Sequence, residues 1–459
     1  MKICIIKLGA KGDVVRTLSI LPKLHEQFPE GEITWITEKG AKEIFINNPY
    51  VNRILSPEEE INDSFDILYS LDTEKEASDL ALKIKALQKK GFFLEGEYFS
   101  AFNFGAEYYL NTIFDDEFKR ENKKTVQEMM FMACDLDYNK EYCPLFLSEE
   151  EKKYGELFVS TNKIDKENLV GIQIGASVKW PSRFWREEEI FEFIQQLNKE
   201  GFTPLLFGSP RKEEKLKDLM KKCEENNIKV YCNDIHNTDR EFFSLVHACK
   251  LVVAPDSFAM HVSLALGKST IALFFCTSAD EIENYNNLLT KIVSPRLYEF
   301  FPEKMDEYNL ELIQSINPKK VAELIDNINN KKVVNAIITN SENKFLVIKR
   351  REGLHKGKWA FPGGEIKKGE TSEEALKREI KEEVNLELSK IIKKISDYNY
   401  LGNQGEKKEG ECYLVEVSAR EVKINDESEE FRWVSLEELE ELDYVSGIDE
   451  EALLAFSEY

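Results

Sequence analysis

Residues 364–386 read GEIKKGETSEEALKREIKEEVNL, and this stretch carries the most specific pattern in the chain. On a helix, Glu379, Glu382 and Glu383 lie at positions i, i+3 and i+4, so their three carboxylates share one face. Like charges at this spacing repel one another unless a cation sits among them. Mg²⁺ and Mn²⁺ accept carboxylate oxygens as ligands and also bridge to substrate phosphates. The stretch therefore predicts a helix that holds a hard divalent cation.

The same stretch resembles the Nudix box, Gly-x5-Glu-x7-Arg-Glu-hydrophobic-x-Glu-Glu-x-Gly-hydrophobic. Every fixed position matches except the last Gly, where this chain has Asn385. Asn is the next-best residue for a helix C-terminus with positive φ, so the departure is mild. Before the box, residues 359–364 read WAFPGG, and after it Glu427, Glu430 and Trp433 resemble the acidic and aromatic segment of the family.

The Nudix resemblance covers residues 331–456 and implies hydrolysis of a nucleoside diphosphate linked to another group. It implies Mg²⁺ or Mn²⁺ as cofactor, held by the three glutamates of the box. One of these glutamates, or a loop residue such as Glu430, would position or deprotonate the attacking water. The resemblance assigns to the substrate site Gly363 and Gly364, which permit a close backbone approach, and Arg378, which we expect to pair with Glu370.

Two flanking groups leave alternatives open. Lys349, Arg350 and Arg351 fit either phosphate contacts or the charged end of a strand. Trp359 and Phe361 fit either stacking on a nucleobase or a place in the core.

Outside the box, the pattern of predicted strands and helices changes at residue 331. Residues 331–459 predict an α+β domain, with strands at 333–339 and 344–349 and a helix at 372–384. Residues 1–330 alternate strands and helices, including a helix over residues 13–26, which predicts βαβ units with parallel sheets. This pattern restarts near residue 169 after an irregular, aromatic and helical stretch at 75–150. We therefore expect an α/β chain of three domains: two Rossmann-like domains at 1–155 and 156–330, and an α+β domain at 331–459.

Three loops of the first 330 residues each follow a predicted strand. They read LGAKGD at 8–13, GASVKWP at 175–181 and PDSFAMH at 255–261. Parallel α/β sheets bind ligands at the carboxyl ends of their strands, so these loops predict a ligand site. Each residue also has a simpler interpretation: Asp13 fits a helix N-cap, Lys179 a surface lysine and His261 a packed helix residue.

Taken together, the loops resemble family 9 glycosyltransferases, the heptosyltransferases of lipopolysaccharide assembly. The segment NKKTVQE at 122–128 resembles a further part of that family. The resemblance covers residues 1–327 and implies the GT-B fold, in which two Rossmann-like domains face a cleft. It implies an inverting transfer from a nucleotide diphosphate sugar to a lipid-linked saccharide, at the inner face of a membrane to which the protein attaches peripherally.

The resemblance also implies roles for single residues. Asp13, preceded by Gly12, would accept the proton of the acceptor hydroxyl, and Lys179 would neutralise the leaving diphosphate. The donor site would be lined by Asp256, Ser257 and His261. Lysine and a helix N-terminus supply positive charge here, so we expect no cofactor for this half.

Two departures from the family bear on the donor site. Phe258 stands where the family has Gly in Asp-Ser/Thr-Gly-x-x-His, and residues 275–277 read FCT where Gly-Pro-Thr is usual. A phenyl ring at either place would block or reshape the pocket. An alternative function follows: the first half is a non-catalytic binding module, and a Nudix pyrophosphatase acts on oxidised dNTPs or ADP-ribose.

Composition narrows the function classes. The net charge of −23, with an acidic balance on both sides of residue 331, argues against nonspecific nucleic-acid binding. Eight scattered cysteines without a CxxC pair predict reduced thiols in a cytoplasmic protein. The apolar start at residues 3–6 is too short for a signal peptide, and no apolar run approaches the ~18 residues of a membrane span.

Overall fold

The computed structural model describes residues 1–175, 179–285, 288–329, 332–351, 355–367, 370–401, 407–418 and 421–456. The chain forms two compact units, Met1–Glu323 and Leu324–Tyr459. The first unit holds two separate sheets, and the boundary between the units falls within a helix. The finer division into three domains, at residues 155 and 330, stays a prediction.

Six strands form the first sheet: β1 (Lys2–Ile6), β2 (Glu32–Ile36), β3 (Arg53–Leu55), β4 (Ser64–Ser70), β5 (Lys85–Glu95) and β6 (Tyr98–Ala101). Their spatial order is β3-β2-β1-β4-β5-β6. Strands β1 to β5 pair in parallel, whereas β6 runs antiparallel to β5. The order reverses between β1 and β4, which is where Rossmann-like sheets bind ligands.

Six further strands form the second sheet: β7 (Leu169–Gln173), β8 (Thr203–Phe207), β9 (Tyr231–Cys232), β10 (Leu251–Pro255), β11 (Ser269–Phe274) and β12 (Leu289–Val293). All neighbours pair in parallel, in the order β12-β11-β10-β7-β8-β9. This sheet repeats the order of the first one and reverses between β7 and β10. The three loops singled out in the sequence follow β1, β7 and β10, so each lies at a reversal point.

Fourteen α-helices are described between residues 11 and 329: α1 (Lys11–Thr17), α2 (Ile20–Gln27), α3 (Lys75–Lys83), α4 (Phe104–Phe114), α5 (Asp116–Glu121), α6 (Val126–Ala133), α7 (Glu149–Thr161), α8 (Glu187–Lys199), α9 (Glu213–Glu225), α10 (Asp239–Ala248), α11 (Phe258–Ala265), α12 (Leu297–Phe300), α13 (Leu310–Gln314) and α14 (Pro318–Asn329). One large cluster of buried side chains draws on both sheets and on the helices around them, so the two halves share one core.

Two local predictions for this unit were wrong. We expected one helix over residues 13–26, but the chain forms α1 and α2, because Pro22 has no N–H to donate to Leu18 and the Ser19 hydroxyl donates to Arg16 O at 2.9 Å. We also missed β5. Its first six residues, KALQKK, are mostly charged or polar and only partly buried, so they show no strand alternation.

The second unit is α+β, as predicted. Its elements are β13 (Lys332–Ile338), β14 (Phe345–Arg350), β15 (Trp359–Ala360), β16 (Gly363–Glu365), α15 (Ser372–Val384), β17 (Glu387–Leu401), β18 (Lys407–Ser418), β19 (Ser428–Val434), α16 (Leu436–Glu440) and α17 (Ile448–Phe456). The strands make a four-stranded sheet, β16-β13-β18-β17, and a three-stranded sheet, β15-β14-β19. One apolar core packs α15 against β13 and β18, and a second packs α17 against β14 and β18.

Two predictions from the sequence concern the cysteines and the membrane-spanning segments. All eight cysteines are free thiols, as predicted, and seven of them are buried. Among the described residues, no helix is both long enough and apolar enough to cross a membrane.

Candidate active sites

The loop after β1 is held in place by a buried carboxylate. Asp72 Oδ2 accepts hydrogen bonds from Leu8 N at 3.0 Å and Gly9 N at 2.8 Å, and it lies 3.4 Å from Lys7 Nζ. The loop then leads into α1, whose N-cap is Ala10. Asp13 therefore lies in the first turn of α1 and does not cap it, so its carboxylate is available for another role.

That carboxylate is held ionised by its surroundings. Asp13 Oδ1 lies 2.8 Å from Arg16 Nη2, and the Asp13 side chain is 38% exposed. Burial raises the pKa of Asp13, but the positive charges of Arg16 and Lys7 outweigh this effect, and the pKa stays below its ordinary value. Asp13 is thus an anion at neutral pH and can accept a proton.

Asp256 follows β10 and forms the centre of a buried charged group. Its Oδ2 lies 2.8 Å from Arg183 Nη2, and its Oδ1 lies 3.5 Å from His261 Nε2. Burial raises the pKa of Asp256, but the Arg183 charge and the hydrogen bond with His261 together hold it well below the ordinary range. Arg183 was not among the predicted site residues.

Gly12 brings the two halves of this unit together. A Cβ placed on Gly12 would lie 3.0 Å from His261 Cδ2 and 3.6 Å from Phe258 N, so a larger residue would press on α11. His261 is 5% exposed, and its helix α11 packs against α1. Gly12, Asp13, Asp256 and His261, predicted from distant parts of the sequence, therefore lie close together in the structure.

A cavity of about 530 Å³ opens at the carboxyl ends of β7, β8 and β9. Its lining includes Ser257 and Phe258 at the start of α11, and three cationic side chains, Lys11, Arg211 and Lys212. Asp256 and His261 are not among the lining residues.

Lys179 is not among the lining residues either. Its ammonium lies 5.1 Å from the centre of the Trp180 ring. Residues 176–178 of the predicted loop lie outside the described part of the chain. The assignment of Lys179 to the leaving diphosphate thus stays a prediction.

Phe258 and Phe275, which depart from the family pattern, occupy different places in the structure. Phe258 lines the cavity, and its ring stacks on Phe242 with 5.9 Å between centroids. Phe258 therefore forms part of the wall of the cavity, at a position where the family has Gly. Phe275 is fully buried and does not line the cavity.

In the second unit, α15 has the bounds that the sequence predicted. Thr371 caps its N-terminus in a capping box with Glu374, and Asn385 ends it with φ of 57°. The expected positive φ at Asn385 is thus confirmed, and the missing Gly of the box costs the helix little.

The three glutamates of the box have different surroundings. Glu383 is 4% exposed, and its Oε2 accepts a hydrogen bond from Gly363 N at 2.8 Å. Glu379 lies against Gly364, where an added Cβ would come within 2.5 Å of its Cδ atom. The Glu382 side chain is 53% exposed. The two glycines thus permit the close backbone approach that the sequence predicted.

Arg378 organises the loop before α15. Its Nε and Nη2 donate to the two carboxylate oxygens of Glu370, each at 2.8 Å, and Nη2 also donates to Glu365 O at 2.8 Å. Arg378 further pairs with Glu379 and lies 3.4 Å from Glu382. The expected pair between Arg378 and Glu370 is present.

The donor set fits a hard divalent cation. Burial raises the pKa of Glu383 to about 7, and burial likewise raises the pKa of Glu379. A cation beside them would offset this cost of ionisation. Within the described ranges no three acidic, histidine or cysteine side chains converge as a metal cluster. Glu379 pairs with Arg378, and Glu383 accepts a hydrogen bond from Gly363 N. The assignment of a metal ion to Glu379, Glu382 and Glu383 stays a prediction, made from the preference of hard cations for carboxylate oxygens.

Two charged residues act on Glu383 from other elements. Arg350 on β14 lowers its pKa, and Glu427 in the loop before β19 raises it. Glu430, which we named as a possible base, accepts a hydrogen bond from Arg432 Nε at 2.8 Å on β19, and its role stays a prediction. Trp359 and Phe361 are 5% and 1% exposed and belong to the core, which rules out base stacking by either ring.

The sequence contained signals for some of the residues that we missed. Arg211 and Lys212 follow Gly208 at the end of β8, and cations at that place favour an anionic ligand. Arg183 lies four residues after Lys179 in the same loop. The Nε atoms of Arg16 and Arg183 are buried without a hydrogen-bond partner in the described structure, so an anionic group of a substrate could satisfy them.

Comparison with known families gives two matches. The model of glycosyltransferase family 9 (heptosyltransferase) matches residues 61–308, and that of the NUDIX domain matches residues 329–455. The lipopolysaccharide core heptosyltransferase OpsX of Haemophilus influenzae is 25% identical over 301 residues, which cover 62% of this chain and 82% of OpsX. The nucleoside triphosphatase NudI of Escherichia coli is 33% identical over 115 residues, which cover 22% of this chain and 80% of NudI.

Solved structures agree with the first match. The family 9 glycosyl transferase of Veillonella parvula has a TM-score of 0.59 at 18% identity and covers 72% of this chain and 97% of its own. ADP-heptose lps heptosyltransferase II of E. coli has a TM-score of 0.54 at 21% identity, with coverage of 72% and 98%. At this identity they establish the fold, which is GT-B. The chain therefore belongs to glycosyltransferase family 9, the heptosyltransferases, and carries a Nudix hydrolase domain fused after it.

Proposed function

We propose that the first unit transfers a heptose-like sugar from a nucleotide diphosphate sugar to a lipopolysaccharide-type acceptor, with inversion. We propose that the Nudix domain hydrolyses a nucleoside diphosphate derivative with Mg²⁺ or Mn²⁺. The observation that carries the first part is that an ionised Asp13 lies near Asp256 and His261, beside a cavity with three cationic side chains.

In the transfer step, Asp13 accepts the proton of the acceptor hydroxyl. The acceptor oxygen bonds to the anomeric carbon on the face opposite the diphosphate, and the bond from that carbon to the diphosphate oxygen breaks. The electron pair leaves with the diphosphate. Arg211 and Lys212 offset its charge, together with Lys179 as the family resemblance implies. Because side chains supply this charge, we propose that the first unit works without a cofactor.

The relatives support the choice of donor and acceptor. OpsX is named a lipopolysaccharide core heptosyltransferase, and the E. coli structure is named for ADP-heptose. We extend this to the present chain as a nucleotide sugar donor and a lipid-linked saccharide acceptor. An acceptor of that kind is anchored in a membrane, so the proposal places the protein in the cytoplasm and peripherally on the inner membrane face.

In the Nudix domain, Glu379, Glu382 and Glu383 would hold the divalent metal. When bound, the metal would neutralise charge on the diphosphate and acidify the attacking water. Arg350 lies close enough to Glu383 to lower its pKa, and we assign it to a substrate phosphate. Glu427 acts on the same carboxyl and is better placed than Glu430 to take the proton of the water, since Glu430 is paired with Arg432.

A second candidate substrate for the Nudix domain is a nucleoside triphosphate. The observation in its favour is the 33% identity with NudI, which is named a nucleoside triphosphatase. In this case the two halves would serve separate pools of nucleotides, and the first half could be a binding module alone.

A substrate panel separates the two candidates. We expect the purified chain with Mg²⁺ to release nucleotide from ADP-heptose or another nucleotide sugar, among a panel that includes ADP-ribose, oxidised dNTPs and ordinary NTPs. Cleavage of a nucleotide sugar would show that the hydrolase acts on the same class of compound that the transferase uses as donor. Cleavage confined to triphosphates or ADP-ribose would overturn the shared pool and favour the second candidate.

Gly364 offers a test of the metal site that leaves every ligand in place. A Cβ in Gly364→Ala would come within 2.5 Å of Glu379 Cδ, so the Glu379 carboxylate must move. We expect hydrolase turnover to fall about 100-fold, the scale of a misplaced catalytic group. The unfolding temperature should change little, because the displaced atoms end a flexible side chain. Full turnover in this variant would show that the position of Glu379 does not matter.

A further inference from the structure

Lys11 occupies an unusual place in the first unit. It is the first residue of α1, in the half built on the first sheet, yet it lines the cavity whose other lining residues all lie between 173 and 259. Its Nζ lies 2.8 Å from Asp239 Oδ1 and 2.6 Å from Asp239 Oδ2. The ion pair thus joins the two halves at the cavity, across 228 residues of sequence.

The charges around the cavity favour an anion. Among the described residues, its lining contains three cations, Lys11, Arg211 and Lys212, and one carboxylate, that of Asp239, in a chain whose net charge is −23. The Asp239 side chain is 15% exposed, and burial raises its pKa even though Lys11 donates to it. The negative charge of ionised Asp239 offsets only part of the positive charge of the three cations. The remaining positive charge favours binding of a phosphate.

The backbone fixes where Lys11 can reach. Gly12 packs against Phe258 and His261, which brings the preceding residue over the start of α11. Lys11 Nζ lies 5.7 Å from the centre of the Phe258 ring. Beside this ring Ser257 Oγ is buried and has no hydrogen-bond partner in the described structure. The Lys11 ammonium is therefore close to backbone and side-chain groups that suit phosphate oxygens.

We propose that Lys11 is an exchangeable phosphate ligand of the donor site. Asp239 holds the ammonium at the cavity, and the phosphate oxygens of a nucleoside diphosphate displace that carboxylate and take Lys11 Nζ. Lys11, from the half built on the first sheet, then completes a site whose other residues come from the half built on the second sheet. The inference rests on the proposed donor site and adds to it a residue whose ion pair must open for binding.

The two partners of this ion pair should respond in opposite directions. Lys11→Met removes a charged donor to phosphate, and such contacts contribute about 1.5–3 kcal/mol, so binding of a nucleoside diphosphate should weaken about 10- to 100-fold. Asp239→Asn removes the competitor, so the same binding should tighten severalfold. A merely structural ion pair would make both variants weaken binding.

Calorimetric titration of the full chain tests this proposal. The probes are ADP and UDP, with adenosine and uridine as matched probes without phosphate, in a Glu382→Gln background without divalent metal. We expect Lys11→Met to weaken the diphosphate and to leave the nucleoside unchanged, and Lys11→Arg to retain most of the affinity. Lys42→Met is the matched control, since Lys42 pairs with Glu59 and does not line the cavity.

The outcomes separate this inference from the function on which it rests. If the parent chain binds neither ADP nor UDP, the proposed donor site itself is wrong. If it binds one of them and Lys11→Met binds equally well, only the role of Lys11 is overturned. Equal weakening by Lys11→Met and Asp239→Asn, in proteins with the parent unfolding temperature, also overturns the exchange.

Discussion

Glu382→Gln should lower kcat/KM of the hydrolase about 1000-fold while the protein keeps its fold. The side chain loses one negative oxygen of the proposed metal site, and removal of one group that stabilises the transition state costs about 10²–10³ in rate. Glu382 is the best of the three glutamates for this test, because its side chain is 53% exposed and its replacement leaves no buried group without a partner. The measurement is steady-state hydrolysis of the best substrate from the panel, with Mg²⁺ and with Mn²⁺.

Glu373→Gln is the matched control for this variant. Glu373 is an exposed glutamate on the same helix, in its first turn. We expect it to retain turnover within about twofold, as for an exposed position away from a site. Full activity in Glu382→Gln, or an equal loss in Glu373→Gln, would contradict the assignment of the metal site.

Asp13→Asn should abolish sugar transfer almost completely, with a loss of about 10²–10⁴-fold in kcat. General base catalysis contributes on that scale, and an amide cannot accept the proton. The variant should still bind a nucleotide diphosphate, because the cavity is lined by other residues. The loss should therefore appear in kcat and not in donor affinity, and single-turnover transfer assays with matched binding measurements would show the split.

The control for Asp13 is Asp79→Asn on α3, an exposed aspartate away from the cleft. Replacement of Asp13 also leaves Arg16 without its carboxylate partner, so we expect a small change of unfolding temperature. An Asp13→Asn protein that transfers sugar at the parent rate would remove Asp13 from the mechanism. A protein that loses donor binding and turnover together would make Asp13 a structural residue.

Local patterns predicted much of the second unit. The bounds of α15 and the positive φ of Asn385 follow from a strong helix pattern with a capping box and a known C-terminal preference. Its long strand β17 was missed, because residues 387–401 mix charged and apolar residues, with three register shifts in the pairing to β18. Each register shift interrupts the alternation of buried and exposed residues, so the strand shows no pattern of period two.

In the first unit, the sequence located the loops but not their partners. Glycine loops after buried strands predicted which residues approach the cleft, because parallel sheets bind ligands at that edge. The contacts that decide their roles are long-range: Lys11 with Asp239, Gly12 with His261, and Arg183 with Asp256. No local pattern encodes such pairs, so the partners of Arg183 and Lys11 could be identified only from the structure.

We propose that this chain carries two active sites for nucleotide-linked chemistry and that each works without the other. The most direct measurement follows transfer of labelled sugar from ADP-heptose to a lipopolysaccharide-type acceptor, and metal-dependent nucleotide release, in the parent chain and in both variants. We predict that Asp13→Asn loses transfer alone and that Glu382→Gln loses hydrolysis alone. Absence of transfer in the parent chain, or loss of both activities in either variant, would contradict the claim.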